Sequence, residues 1–329
     1  NAIDEAKRCY AMGTPMPAIR VFVNTKTNKI TISDTGNGFK NGSKINKKSG
    51  LTNIETAMTH LRAGSNFRND DIETNIIGTN GIGVSAVNML SEYFSIFTVT
   101  PNSEGSYYAQ TWLDFQNQGI SNGKCQRMPG TTIEFIPSRT IFPNQTWNFN
   151  IIKTKIIFNK FLTKYDPTLK DLFIDLIWDG KSIFCNDNFM PENNLCWKTS
   201  NTTVFLWEKE NDDMSSVAFI NGTQATGIHQ KIIIDYINEE IFQNSQANKF
   251  YEICLIVNLP PKYVKFDTQN KVRLITQKDE ILKVLKYAIP RKELNDFRDT
   301  SLYKDIIESI NESFHKEEIK LYKKIKRES

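Results

Sequence analysis

The chain has no unbroken apolar run of membrane-spanning length, little net charge, few histidines and no cysteine pair at metal-binding spacing. With 39% hydrophobic residues in 329, it reads as a soluble globular protein of about two domains with a sizeable core, and no membrane partner is expected. A net charge of +4 is too small for this length to argue for nucleic acid or a membrane surface through bulk basicity, so any DNA contact must be local. The five cysteines, Cys9, Cys125, Cys185, Cys196 and Cys254, lack CxxC spacing, and their odd number argues against a disulfide framework or a structural zinc site. A reducing compartment is the simpler reading. The three histidines show neither DxH nor HxxxH spacing, so His60 and His229 read as structural or capping groups rather than metal ligands. There is no signal or lipidation pattern, yet Asn1 already stands in a mid-helix pattern without an initiator methionine, which leads to the expectation of sequence upstream.

What is present reads as a mixed α+β chain without internal repeats. Apolar and polar residues alternate through "AIRVFVNTKTNKITIS", predicting a hairpin over Ala18 to Ser33. Leu51 to Leu61 has helical spacing, and a second helix follows the glycines of "IIGTNGIGVSAVNMLS". The runs "YFSIFTVT", "YYAQTWLDF" and "GTTIEFIP" predict three strands, Trp147 to Tyr165 a helix, and "LFIDLIWDGKSIFC" another hairpin. Together they give a mixed, mostly antiparallel sheet. The polar, proline-bearing loop from Asn186 to Asn201 marks the expected domain boundary. A second unit follows, with strands at Val204 to Lys209, Ser216 to Ile220 and Tyr251 to Leu259, and helices at Ile228 to Gln243 and after Thr276. Thr300 to Arg327 spaces its apolar residues helically among many Lys and Glu, which predicts an exposed connector helix. The expected domains are therefore 1–200, 201–299 and a connector over 300–329.

The glycines at Gly78, Gly81 and Gly83 stand directly before a helix. They free the backbone to approach a ligand, and the helix start offers N–H groups without intrahelical partners, so the stretch can cradle an anion such as polyphosphate. "GTNGIG" matches neither GxGxxG after a strand nor GxxxxGK[ST], which removes the Rossmann and Walker readings. Taken alone, the cluster is equally consistent with a structural turn.

Three companions occur in fixed order with it: "NAIDEA" at Asn1 to Ala6, "DTGNG" at Asp34 to Gly38 and "GTT" at Gly130 to Thr132. Together they resemble the GHKL ATPase superfamily, whose Bergerat fold packs helices on one face of a mixed sheet. The resemblance implies ATP and Mg²⁺ as cofactors. It places nucleotide contacts at Asn1, Asp4, Asp34, Gly36, Gly38, Gly78, Thr79, Asn80, Gly81, Ile82, Gly83, Val84 and Thr131, with Asn1 on the metal. The chemistry suits these roles. A carboxylate at Asp34 accepts from the adenine amine, Gly36 and Gly38 remove side chains that would block the ring, and an amide oxygen at Asn1 is a hard ligand for Mg²⁺. Thr131 can donate toward Asp34, directly or through water. Each residue also has a plain reading: Asp34 as a turn aspartate, Asn1 as a helix residue, Thr131 as a strand threonine.

Within the superfamily, "VKFDTQNKVRL", Val264 to Leu274, resembles the transducer segment by which type IIA DNA topoisomerases and the gyrase B subunit send a lysine to the γ-phosphate. "FINGTQATGIHQKIII" and "TAMTHLRAGSNF" are similar to the transducer strand-turn-helix and the run into the ATP lid of the same family. Asn80 is similar to eukaryotic and large-phage wording. The resemblance implies a transducer domain of ribosomal S5 domain 2-like fold, Lys271 and Gln269 as catalytic residues, and Lys278 of "TQK" as a nearby decoy. It also implies an ATP-dependent homodimer, DNA as the partner of the full-length enzyme, and TOPRIM and cleavage domains or a subunit elsewhere, since no acidic DxD or DNA-cleaving tyrosine motif is identified here. The setting implied is the cytoplasm of a bacterial host for a phage enzyme, or the nucleus for a eukaryotic one.

Departures accompany the match. The family's general-base glutamate falls ahead of Asn1, and Glu5 follows Asn1 on the helix, so it is a poor substitute. Asn37 stands where relatives carry arginine, so a salt bridge from that position to Glu5 is expected to be lost. Alternatives are a MutL-type mismatch-repair or chaperone-like ATPase, or a nucleotide-sensing clamp without turnover. Lys44, Lys47 and Lys48, like Lys320, Lys323, Lys324 and Lys326, read as solvated charge, with DNA contact as the other reading.

Overall fold

The alternation from Ala18 onward forms a hairpin in a computed structural model that describes residues 1–61, 81–101, 105–209, 215–268, 271–285 and 288–328. Strands β1 (Ala18–Asn24) and β2 (Lys29–Asp34) pair antiparallel, with Val21 opposite Ile32 and Val23 opposite Ile30. The chain divides into two compact units, Asn1–Phe189 and Met190–Ser329.

The first unit also contains α1 (Ala2–Ala11), α2 (Asn53–Thr59), α3 (Gly83–Met89), β3 (Ser91–Val99), β4 (Ser106–Leu113), β5 (Gln116–Lys124), β6 (Gly130–Pro137), α4 (Phe149–Thr163), β7 (Phe173–Trp178) and β8 (Lys181–Ile183). Its eight-stranded sheet runs β5-β4-β3-β6-β2-β1-β7-β8. Only the β1 to β7 pairing is parallel, so the mixed, mostly antiparallel sheet expected from the sequence is present. Strand β5 lies outside the three strands that the apolar runs predict. Its residues, "QNQGISNGK", are all exposed, so no apolar alternation announces it, and it forms because it pairs with β4 at the sheet edge.

One face of this sheet buries two apolar clusters. Ala6 of α1 and Ile156 of α4 meet Ile19, Val23, Ile30, Ile174 and Leu176. Ile54 and Met58 of α2 meet Phe94, Ile96 and Trp112, with Val84 and Val87 of α3 packed alongside and Phe94 edge-on to Trp112 at 5.7 Å. Helix α1 is further held by the buried Lys7, whose ammonium lies 3.0 Å from Asp166, the residue capping the short 3₁₀ turn Pro167–Leu169. An amine this buried is tolerable only with its counter-charge in place.

The second unit comprises β9 (Leu195–Lys198), β10 (Thr202–Glu208), β11 (Val217–Ile220), β12 (Thr223–Gln224), β13 (Thr226–Gly227), α5 (Ile228–Tyr236), β14 (Tyr251–Val257), β15 (Arg273–Leu274), α6 (Lys278–Leu285), α7 (Arg291–Arg298) and α8 (Ser301–Glu328). Its main sheet runs β12-β11-β14-β10-β9. Because β9 pairs with β10, the segment just before residue 200 belongs to this unit, and the units divide earlier than the 200/201 boundary expected from the sequence. Helix α5 is the crossover that parallel pairing of β11 with β14 requires. The expected helix to Gln243 continues past α5 as a π-helical turn, Ile237–Phe242, and stops at Gln243 in the left-handed region. Asn221 and Gly222, at φ 50° and 87°, form the two-residue turn between β11 and β12. The Asn221 side chain then bridges both main-chain polar groups of Leu259, at 2.7 and 2.8 Å.

Helix α8 corrects the reading of an exposed connector. Leu302, Ile306 and Ile310 are buried in the core of the second unit with Phe297 and Ile281, so the first part of the helix is a packed element. Their spacing puts all three on one stripe.

His229, in the first turn of α5, is fully buried, and neither ring nitrogen has a partner in hydrogen-bond geometry among the described residues. Burial pushes its pKa down to about 4, slightly offset by the Ala225 carbonyl. The neutral ring is therefore the folded form, and stability is complete above the ordinary value of 6.5 and declines as pH falls toward 4. Denaturant titrations of wild type across this interval should show a loss approaching about 1.4 kcal/mol per pH unit, and His229→Leu should flatten that dependence.

Candidate functional site

The two apolar clusters of the first unit leave a polar row between them at the ends of three strands. Asp34 of β2 stands opposite Thr131 of β6, which in turn stands opposite Thr98 of β3. By the alternation of the pleat, these residues share the helix-covered face with Ile30, Ile133 and Ile96. A carboxylate and two hydroxyls thus replace what would otherwise be core.

Asp34 is held as an Asx turn, its Oδ1 accepting the Gly36 N–H at 3.0 Å. This is the plain reading of the residue. Burial raises the Asp34 pKa above its ordinary value. The Gly36 N–H opposes that shift, the Glu5 charge adds to it, and the Thr131 main-chain N–H again opposes it. The side chain of Thr131 makes no direct hydrogen bond to Asp34. Its hydroxyl meets Thr98 Oγ1 at 3.1 Å instead.

The turn after β2 depends on Gly38, at φ 62°. A Cβ there would lie 2.1 Å from the Val99 carbonyl oxygen, so no other residue fits. Gly36 is buried between Glu5 and Asp34. Glu5 accepts the Asn37 N–H at 3.0 Å and the Arg8 guanidinium at 2.8 Å. Position 37 thus gives Glu5 a main-chain N–H and no ion pair, in line with the expectation, and Arg8, one turn along the same helix, supplies a cation. The Asn37 side chain points to Cys9 Sγ and Thr14 Oγ1, at 3.1 Å each. Asp4 is buried on α1, while Asn1 is exposed at the N-cap position and its side chain makes no capping bond.

Gly78, Thr79 and Asn80 lie outside the described residues. Gly81 has φ 56°, Ile82 caps α3 through its carbonyl, and Gly83 and Val84 form the first turn, whose N–H groups lack intrahelical partners by geometry. A cleft of about 450 Å³, lined in part by Phe39, Lys40, Lys44, Thr98 and Tyr108, adjoins the polar row through Thr98. His60 ends α2 beside Thr59, Lys47 and Lys48 are exposed, and no three-residue metal-binding cluster of His, Cys, Asp or Glu occurs among the described residues.

In the second unit, Lys271 sits near the tip of a hairpin. The stem is closed by Ile275 N–H to the Lys265 carbonyl and Asp267 N–H to the Arg273 carbonyl, at 2.8 and 3.1 Å. Lys271 itself has φ 57° and donates its N–H to Thr268 at 3.1 Å, while Gln269 lies outside the described residues. The stem is pinned to β13, where Gly227 approaches so closely that a Cβ would lie 2.4 Å from the Leu274 carbonyl oxygen. Lys278 opens α6 instead of a turn.

Thr98 and Arg8 were not among the site residues expected from the sequence. Thr98 does carry a signal, because it follows Phe94 and Ile96 in a core-facing alternation where a polar residue is out of place. Arg8 carries none that separates it from a solvated helix charge.

No protein-family model matches the chain. The chain is 26% identical to the B subunit of DNA topoisomerase 4 from Mycoplasma genitalium over 371 aligned positions, covering 99% of this chain and 55% of that protein. It is 33% identical to the corresponding B subunit from Staphylococcus aureus over 323 positions, covering 84% and 45%. It thus spans about half the length of these curated relatives. The ATPase and transducer domains of DNA topoisomerase II from Balamuthia mandrillaris share its fold, with a TM-score of 0.74 at 17% identity, over 96% of this chain and 83% of that one.

Ionising Asp34 in its desolvated place costs folded-state stability. A carboxyl whose folded pKa is raised is penalised above that pKa and released from the penalty as pH falls through it toward the usual carboxylate range. Asp34→Asn, which keeps an acceptor for the Gly36 N–H, should therefore raise the melting temperature of the ligand-free chain at pH 7. Calorimetric scans should show that gain vanishing near pH 4.

Proposed function

The chain belongs to the ATPase and transducer regions of the type IIA topoisomerases, and we propose on that footing that its first unit binds and hydrolyses Mg-ATP within a DNA topoisomerase. The observation that carries the reading is the Asp34 turn. A desolvated carboxylate, beside hydroxyl side chains and a glycine that no other residue can replace, suits a base with an exocyclic amine. In the proposed assignment Gly36, Gly38 and Thr131 complete the base pocket. Asn1, Asp4 and the loop from Gly78 to Val84 serve the phosphates and their metal.

Asn1 suits Mg²⁺ on the chemistry of its donor. Its amide oxygen is a hard ligand, and Mg²⁺ in such sites relies mainly on phosphate oxygens and water. When bound, the ion neutralises charge on the phosphates. Lys271, with Gln269, is assigned to the charge that develops on the γ-phosphoryl oxygens. The hairpin that carries it, stiffened by β13, suits a residue that must be presented in one orientation. Coupling of nucleotide state to motion, ATP-dependent dimerisation, DNA as substrate, a cytoplasmic or nuclear setting, and TOPRIM and cleavage functions elsewhere follow as parts of the same proposal.

Calorimetric titration with magnesium and a non-hydrolysable ATP analogue tests it. Wild type should release heat, Asp34→Ala should lose roughly a hundredfold in affinity, and Lys271→Ala should bind nearly as wild type. In the hydrolysing protein, Lys271→Ala should lower turnover about 10²- to 10³-fold, the cost of one transition-state donor. Absence of binding by wild type, or indifference to Asp34→Ala, overturns the assignment.

A further inference from the structure

Thr98 occupies a core-facing position of β3, is 2% exposed, and follows buried Phe94 and Ile96 in the strand. A hydroxyl so placed needs partners, since an apolar side chain of similar shape would avoid the desolvation cost. Its Oγ1 accepts the Phe39 N–H at 2.9 Å and lies 3.1 Å from both the Gly130 carbonyl and Thr131 Oγ1. It therefore ties together the turn after Gly38, the start of β6 and the side chain next to Asp34.

The hydroxyl has one proton and two competing acceptors. When the proton goes to the Gly130 carbonyl, Thr131 donates to Thr98 and is left with lone pairs for a ligand. When it goes to Thr131, the Thr131 proton is free for a ligand acceptor. Ionised Asp34, in the same row, can only accept. The second arrangement gives an acceptor beside a donor, the complement of an adenine edge, whose amine donates and whose neighbouring ring nitrogen accepts. A guanine edge has the opposite order.

We propose that Thr98 is a positioning residue that sets nucleobase preference, by giving its proton to Thr131 so that Thr131 donates to the base. The inference rests on the nucleotide reading of the Asp34 site and adds a residue that no motif of the sequence marks.

The test is calorimetry of the whole chain with magnesium and non-hydrolysable forms of ATP and of 1-deaza-ATP, in which a C–H replaces the ring acceptor. Wild type should bind the 1-deaza form about tenfold more weakly, the scale of one hydrogen bond. Thr98→Val should weaken the ATP form about tenfold and leave the 1-deaza form within twofold, and Thr98→Ser should restore the wild-type ratio. Equal weakening of both analogues by Thr98→Val, or no weakening of either, overturns the proposal. Should Thr98→Val fail to fold, Thr98→Cys, a poorer donor of similar size, is judged by the same two outcomes. If wild type binds neither analogue, or Asp34→Ala binds as wild type, the nucleotide reading itself fails; an intact Asp34 effect with an unchanged analogue ratio removes only the role of Thr98.

Discussion

The Glu5 carboxylate joins the first helix to the turn after β2, and the site depends on that junction. Its two acceptor oxygens are shared between the Asn37 main chain and the Arg8 guanidinium, so the turn cannot shift without breaking a charge-assisted bond in a place with little water to replace it. The helix is in turn fixed from behind by the Lys7 to Asp166 ion pair. The geometry of Asp34 is thereby inherited from three elements that are distant in sequence: a helix, a hairpin end and a 3₁₀ turn. Glu5 also raises the energy of an ionised Asp34, adding to the larger effect of burial.

Much of this was legible in the sequence because the signals were local. The hairpin of β1 and β2 follows from alternation, and a glycine was expected at Gly38 on steric grounds, although the neighbour it clears is the Val99 carbonyl. What could not be read depended on pairing across long separations. Strand β5 has no inward face of its own and exists through β4. The contact of Arg8 with Glu5 looks like any surface pair on a helix until the turn at Asn37 is placed against it. The stripe of Leu302, Ile306 and Ile310 was visible as a period, but a period names no surface to cover, and the many charged neighbours favoured an exposed reading.

The second unit shows a related economy of means. The hairpin bearing Lys271 packs Leu274, Val264 and Phe266 into the core of the second unit, and it is steadied further by a two-residue ladder to β13 that only a glycine at 227 permits. Lys271 adopts a left-handed backbone, which is uncommon for a residue with a Cβ, and such conformations persist where surrounding bonds over-determine them. The Asn221 bridge to Leu259 anchors the end of β14, from which the chain departs toward that hairpin.

The outermost strand of the large sheet has a bearing on how copies of this chain behave in solution. All of β5 faces water, and a straight, exposed margin of main-chain donors and acceptors is a template on which a neighbouring chain can add itself. Here the register slips between Gln110 and Trp112, and Gly119 and Gly123 interrupt the outer strand. A bulge of this kind bends and twists the border, so a strand adding itself there would meet an interrupted row of hydrogen bonds.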